Sequence, residues 1–316
     1  MGIVIQSGPF QQLKNATGNF QWLIYKGWNY TLYKGNHFQW LIYKGWNYTL
    51  YKGNHEDREI SVKSFQRNRY STLDRIANEV AIASRMSNHK NVLKFMGCCQ
   101  ETELPFLIYE FPANGNLESY IYTKNQQLQL PWDSRLRIAT GIENAVAYLH
   151  HGLTIIHRNI TPENVFLDQN NVVKLFDFQD ALVVIPEDET DVDTMVCGTC
   201  WYLAPEVAMY GHQTEKYDVY SFGVLLSAVL TQKRFHDLLS WHREISNKHC
   251  LDSWLQSDHD FWEEIVPKYC EIYGQEESRA QVLECVKVVQ SCIKENPDER
   301  SDMIEVGKAL RLIKTI

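Results

Sequence analysis

The sequence predicts an α+β protein of two lobes, a sheet-rich first third followed by a mostly helical remainder. Alternating residues in EDREISVKSF (56–65) and the apolar runs NVLKFMGCC (91–99) and PFLIYEF (105–111) read as strands. From Pro131 onward the period changes: Leu136, Ala139, Ile142, Val146 and Leu149 recur at three and four residues, and Gly152 follows as a stop. With 316 residues, 44 % of them hydrophobic, the chain can bury a full core.

In chain order, residues 1–19 form an N-terminal extension that begins MGIVIQSG. Gln6 stands where an acylation signal needs Ser or Thr, and the apolar stretch is too brief for a secretory leader. An intracellular protein is the expectation. Next, FQWLIYKGWNYTLYKGNH at 20–37 recurs without a change at 38–55. A repeat with no drift fits a recent duplication or an error in assembling the coding sequence, and the residues alone leave both open. Each copy has the aromatic and β-branched content of a hairpin, with Lys-Gly-Trp-Asn as its turn. The second copy runs directly into the strand that follows, so it belongs in the sheet. The first becomes an extra hairpin or loop that would expose Trp22 and Trp28.

Leu73, Ile76, Val80, Ala83 and Met86 then mark a helix with one apolar stripe. FGVLLSAVL (222–230) is too short for the roughly 20 residues that span a bilayer, and reads as a buried helix. The charge of −8, from 31 Lys+Arg against 39 Asp+Glu, comes with no basic run, which argues against a nucleic-acid partner. Eight cysteines without a framework spacing fit reduced thiols. Cys197-Gly-Thr-Cys200 lacks two further ligands close by, so it reads as a loop and no metal site is expected there.

Six segments occur in a telling order: ISVK (60–63), HRNITPENVFLD (157–168), KLFDFQ (174–179), LAPE (203–206), DVYSFGV (218–224) and DERSDM (298–303). Together they resemble the protein kinase family, and the fold this implies is a β-rich N-lobe over 20–111, with the repeat in it, and a helical C-lobe over 112–316. On that resemblance Lys63 would hold the α and β phosphates and Glu79 would pair with it. Asn164 and Asp177 would hold Mg²⁺ if Mg·ATP binds, with a hairpin between them. The nucleotide-binding positions implied, were a nucleotide bound, are Lys63, Glu79, Tyr109, Glu110, Phe111, Asn164 and Asp177. Structural positions are His157, Arg158, Glu206 paired with Arg300, and Asp218 bracing the catalytic loop from beneath.

The departures are as specific as the matches. Asn159 stands where an Asp should accept the substrate's hydroxyl proton; an amide is no base at neutral pH, and such a loss costs roughly 10²- to 10⁴-fold. Thr161 replaces a Lys that would steady the transferring phosphoryl charge. Tyr43, Gly45 and Tyr48 fall on the three glycines of the phosphate loop, or Tyr25, Gly27 and Tyr30 if the first copy is used. Glycines there let backbone N–H groups approach phosphate oxygens, so two tyrosines crowd that space. Gln179 replaces the Gly after Asp177-Phe178 and removes a hinge. The expectation is a kinase frame without catalysis, no required cofactor, and doubtful binding of Mg·ATP.

LKNATGNF (13–20), GCC (97–99), LIYEF (107–111) and GTCWYLAPEV (198–207) are similar to plant receptor-like and receptor-like cytoplasmic kinases. HRNITPENV with DFQ and a tyrosine-bearing loop resembles their HOPZ-ETI-deficient-related pseudokinase group. That resemblance implies a cytoplasmic adaptor of plant immunity, recruited to the plasma membrane with its partners and part of a larger oligomeric complex. The partners implied are the leucine-rich-repeat region of a nucleotide-binding immune receptor, receptor-like cytoplasmic kinases and bacterial effectors. Two rival functions stand beside it: a weak Ser/Thr kinase, and an inactive switch that binds ATP. VVIPEDETDVDTM (183–195) carries Glu187, Asp188, Glu189, Asp191 and Asp193. It reads as a solvated acidic loop or as a partner surface ordered on binding, with Thr190 and Thr194 as modification sites and Arg158 as a partner for its charge.

Overall fold

The computed structural model describes residues 24–25, 32–33, 43–44, 47–55, 58–66, 72–99, 103–122, 130–184, 195–234, 237–238 and 279–315. Among them are two compact units. One comprises the described residues up to Gly115 with Leu167–Asn171 and Phe176–Gln179; the other comprises Asn116–Phe166, Val172–Leu175 and the residues from Asp180 onward. The boundary lies a few residues beyond the expected 111/112 division, and the first unit takes back two later segments.

In the first unit, strands Ile24–Tyr25 (β1) and Leu32–Tyr33 (β2) form a two-stranded sheet, separate from a five-stranded sheet. The larger sheet contains Tyr43–Lys44 (β3), Tyr48–His55 (β4), Arg58–Phe65 (β5), Phe95–Cys99 (β6) and Phe106–Glu110 (β7), in the order β3-β4-β5-β7-β6. The second copy of the repeat therefore supplies β3 and β4, as its continuity with the next strand requires. The first copy makes the extra hairpin, with Trp22 and Trp28 outside the described residues. Both copies choose one register: Tyr25 pairs with Leu32, and Tyr43 with Leu50. Identical local sequence has given identical local pairing.

Strand parity decides what the sheet presents. Tyr48 faces Phe65, Leu50 faces Lys63 and Ser61 faces Tyr109, so these side chains share one face. Ile60, Val62 and Ile108 take the other face, with Cys99 and Phe106, in a small apolar core. Helix Leu73–Met86 (α1) begins at Thr72, whose hydroxyl accepts from Arg75 N–H. Its buried residues are Ile76, Glu79, Ile82, Ala83 and Met86. Of the expected stripe, Ile76, Ala83 and Met86 are buried, Val80 is half-buried, and Leu73, at the start of the helix, is 59 % exposed. Glu79 lies three residues after Ile76 and four before Ala83, so the same buried face carries its carboxylate inward.

In the second unit, a one-turn helix Glu118–Ile121 (α2) precedes Trp132–Ala147 (α3), which buries the predicted Leu136, Ala139, Ile142 and Val146. A wider π turn at Tyr148–Gly152 ends it and buries Leu149. Short strands occupy Ile155–Ile156 (β8), Val165–Leu167 (β9, whose last residue is counted in the first unit), Val173–Leu175 (β10) and Leu182–Val183 (β11), with β8 paired to β11. Helices Pro205–Tyr210 (α4), Glu215–Thr231 (α5), Arg279–Cys292 (α6) and Met303–Ile313 (α7) follow. All nine residues of FGVLLSAVL lie buried in α5. A Cβ at Gly223 would meet Cys292 Cβ and Ile293 Cγ2 at 2.7 Å, so this glycine permits the close approach of α5 to the end of α6. No helix among the described residues is long and apolar enough to cross a membrane.

Helix α7 packs on α3 over a buried carboxylate. Glu143 is 2 % exposed, a Cβ at Gly307 would lie 2.0 Å from its Oε1, and Arg311 Nη1 reaches Oε2 at 3.5 Å. Burial pushes this carboxyl from its ordinary 4.5 up to about 7, against the opposing pull of Arg311 and Lys314. The folded chain then holds the proton more tightly than the unfolded one, so this group's contribution to stability declines as pH rises from about 4.5 to about 7. Glu143→Gln should remove that decline. Urea titrations should find the variant more stable than wild type by up to about 3 kcal/mol at pH 8 and nearly level with it at pH 5; a pH slope equal to wild type's would contradict the assignment.

Candidate functional site

Lys63 is the centre of the first unit's polar face. It is 0 % exposed, and Nζ donates to Glu79 Oε2 at 2.6 Å and to Asp177 Oδ1 at 2.7 Å. Strand β5 places the lysine, α1 brings Glu79, and the 176–179 segment brings Asp177. Tyr109 on β7 donates its hydroxyl to Glu79 Oε1 at 2.7 Å, so both oxygens of that carboxylate are engaged. Burial pushes the Glu79 carboxyl up while Lys63 pulls it down; the tyrosine hydroxyl is raised by burial and by Glu79 beside it. A cation and two anions in one dry place are tolerable only because every partner is in contact.

The phosphate-loop position adds two residues to this cluster. Tyr48, aligned with the third loop glycine, is 2 % exposed and its ring centroid lies 4.0 Å from Lys63 Nζ. Phe176 and Phe65 stand 4.9 and 5.2 Å from the same nitrogen. Next to Tyr48, Asn47 turns its side chain inward and exchanges two hydrogen bonds with Gln179: Asn47 Nδ2 to Gln179 Oε1 at 2.7 Å, and Gln179 Nε2 to Asn47 Oδ1 at 3.2 Å. Gln179 Nε2 also lies 3.2 Å from Asp177 Oδ2. Each Asp177 oxygen therefore meets a protein donor. Asn78 on α1 donates to the carbonyls of Phe178 and Gln179 at 3.4 Å, and Asp177 adopts φ +70°, in the left-handed region. Side chains of the chain itself thus surround both the lysine ammonium and the Asp177 carboxylate.

In the second unit, the HRN loop hangs from one buried aspartate. Asp218 Oδ2 accepts from His157 N–H at 2.6 Å and Oδ1 from Arg158 N–H at 2.8 Å, while His150 Nε2 lies 2.9 Å from Oδ2. These bonds hold Arg158 at φ +65°. Asn159 Oδ1 accepts from the Thr199 hydroxyl at 2.9 Å, and its carbonyl accepts from Asn164 Nδ2 at 3.0 Å. Thr161 is buried. Tyr217 donates to the Arg158 and Cys197 carbonyls at 2.9 Å; Gly198 at φ +128° leaves the space, since a Cβ there would lie 2.0 Å from that hydroxyl. Glu206 and Arg300 form a two-pronged ion pair at 2.6 and 2.7 Å.

The sequence-nominated residues thus fall into two groups, Lys63, Glu79, Tyr109, Asp177, Gln179 and Tyr48 in the first unit, and His157, Arg158, Asn159, Thr161, Asn164, Glu206, Asp218 and Arg300 in the second. Glu110 accepts from Lys94 N–H at 3.1 Å, and the Phe111 ring lies 4.1 Å from Lys52 Nζ. Arg158 engages the Asp180 carbonyl and, at 3.1 Å, Gln213 Oε1. Gly45 and the acidic positions Glu187, Asp188, Glu189, Asp191 and Asp193 lie outside the described residues, and Tyr43 is placed only as part of β3. Sequence reasoning missed Asn47 and Thr199. Thr199 sits in the conspicuous GTC stretch, but nothing near Asn47 signals a partner 132 residues away.

The protein kinase domain family model matches residues 44–309. Wall-associated receptor kinase-like 16 of Arabidopsis thaliana is 34 % identical over 309 residues, 96 % of this chain and 66 % of that protein. Wall-associated receptor kinase 1 is 35 % identical over 265 residues (81 % and 35 %), and the G-type lectin S-receptor-like serine/threonine-protein kinase RKS1 is 34 % identical over 254 residues (78 % and 29 %), both from the same plant. The chain therefore spans just under two thirds of the first relative's length and about a third of the other two.

Lys63→Met should leave two buried carboxylates facing each other without their cation. The expected loss is roughly 3–5 kcal/mol in a urea titration at pH 7; a loss below about 1 kcal/mol would show that the cluster is not the buried ion pair drawn above.

Proposed function

We propose, for a chain that belongs to the protein kinase family, that it has kept the kinase frame, lost phosphoryl transfer and serves as an adaptor. One observation carries the reading: Asn159 occupies the base position, and its Oδ1 already accepts the Thr199 hydroxyl. A carboxylate there could hold the same threonine and still take a proton on its second oxygen. The amide presents an NH₂ group instead, which donates and cannot accept. Transfer then lacks the group that would receive the substrate's proton, worth roughly 10²- to 10⁴-fold. Thr161 adds no positive charge where a transferring phosphoryl group would need one. Meanwhile the bonds from Asp218 and the Glu206–Arg300 pair keep the surrounding frame intact. Frame without chemistry is what a binding module requires.

The finer assignment rests on the similarity to the HOPZ-ETI-deficient-related pseudokinases. On it, the chain is a cytoplasmic adaptor that docks on the leucine-rich-repeat region of a nucleotide-binding immune receptor and recruits receptor-like cytoplasmic kinases modified by bacterial effectors, within a larger oligomer. The kinship with proteins named as receptor and serine/threonine kinases supports the rival, a weak Ser/Thr kinase that relies on Lys63, Asn164 and Asp177.

Labelled ATP supplied with a generic acceptor separates the two. Phosphate incorporation by wild type equal to that of Asp177→Ala is the expected result; incorporation above it would make this an enzyme. For the adaptor role, immobilised leucine-rich-repeat fragments of such receptors should retain wild type and Asn159→Asp equally, and failure of every fragment to retain either would contradict that role.

A further inference from the structure

We propose that Asn47 and Gln179 form a clasp that takes the place of a metal ion, tying Asp177 to the sheet that carries Lys63 and fixing this unit in its paired arrangement without nucleotide. The proposal rests on the non-catalytic reading above and explains how the emptied machinery stays assembled. In a nucleotide-binding site of this kind, a divalent cation would neutralise the aspartate and phosphates would neutralise the lysine. Here Asp177 is neutralised by Lys63 on one oxygen and contacted by the Gln179 amide on the other.

Geometry makes the clasp reciprocal. Asn47 and Gln179 are 1 % and 6 % exposed, and each amide both gives and receives. Removing either leaves a buried amide short of its partner, so the pair stands or falls together. Glycine at 179 could supply neither hydrogen bond, and glycine at 48 would leave the space beside Lys63 that the tyrosine ring now fills. The two substitutions that look like losses from the family pattern are thus the gains that close the site. Phe176–Gln179 accordingly belongs to the same compact unit as the sheet. A partner that reads the surface of this unit should meet one conformation whether or not nucleotide is present.

The test is thermal melting with and without millimolar Mg·ATP, on wild type, Asn47→Ala, and the double variant Tyr48→Gly/Gln179→Gly. A ligand that binds only the folded state must raise Tm. Wild type should melt at the same temperature in both conditions. Without ligand, Asn47→Ala should melt several degrees lower, and the double variant lower still; the double variant should recover part of its loss when Mg·ATP is added. A rise in wild-type Tm with Mg·ATP would overturn the proposal, as would a folded double variant that gains no response. Should the double variant fail to fold, hydrogen exchange of the 176–179 amides in wild type decides: equal protection with and without Mg·ATP supports the clasp, and protection that appears only with Mg·ATP overturns it. Binding without phosphate transfer would sink the clasp and spare the adaptor reading, whereas transfer by wild type would sink both.

Discussion

A lysine ammonium with no exposure to water is the constraint around which the first unit is arranged. An ion of that size is costly to bury, and two carboxylates at hydrogen-bonding distance make it tolerable. Two anions around one cation leave an excess negative charge, which in turn needs donors; Tyr109 supplies one to Glu79 and Gln179 approaches Asp177 with another. Helix α1 carries Glu79 on the same buried face as Ile76, Ala83 and Met86, where a carboxylate is tolerable only because it is paired. The aromatic rings of Tyr48, Phe65 and Phe176 then present their negative faces to the ammonium and exclude water from it.

The second unit shows the same economy of frame with different chemistry. Asp218 spends both oxygens on the backbone of the HRN loop, which fixes the loop regardless of which side chain follows Arg158. Asparagine has nearly the shape of aspartate and can still accept from Thr199, so the exchange at 159 perturbs packing little while it removes basicity. Shape and basicity are thus separable at this position.

Much of this was legible in the residues. Period-two and period-three-to-four patterns located the strands and helices, because burying one face is what fixes them. Motif order named Lys63, Glu79, Asp177, Glu206 and Arg300, since their residue types matched at the right spacings. What stayed hidden depends on long-range partners. The carboxylate of Glu79 on the buried face of α1 is accounted for by its ion pair with Lys63, which periodicity does not weigh. Gln179 looked like a lost hinge, and only its meeting with Asn47 across 132 positions gives it a role. The duplicated hairpin lies between these cases: continuity with β5 told which copy enters the sheet, and the shared register of the two copies shows that pairing within a hairpin is decided locally.

Lys63 is enclosed by the chain's own side chains, and the rate at which its amine is acylated reads that enclosure most directly. Wild type would be treated with limiting acetic anhydride, with and without Mg·ATP, and each lysine's modification quantified by mass spectrometry. Lys63 should be among the slowest lysines to react, with a rate that Mg·ATP leaves unchanged. Rapid acylation of Lys63 that Mg·ATP suppresses would mean the site is open to nucleotide, and would contradict the account.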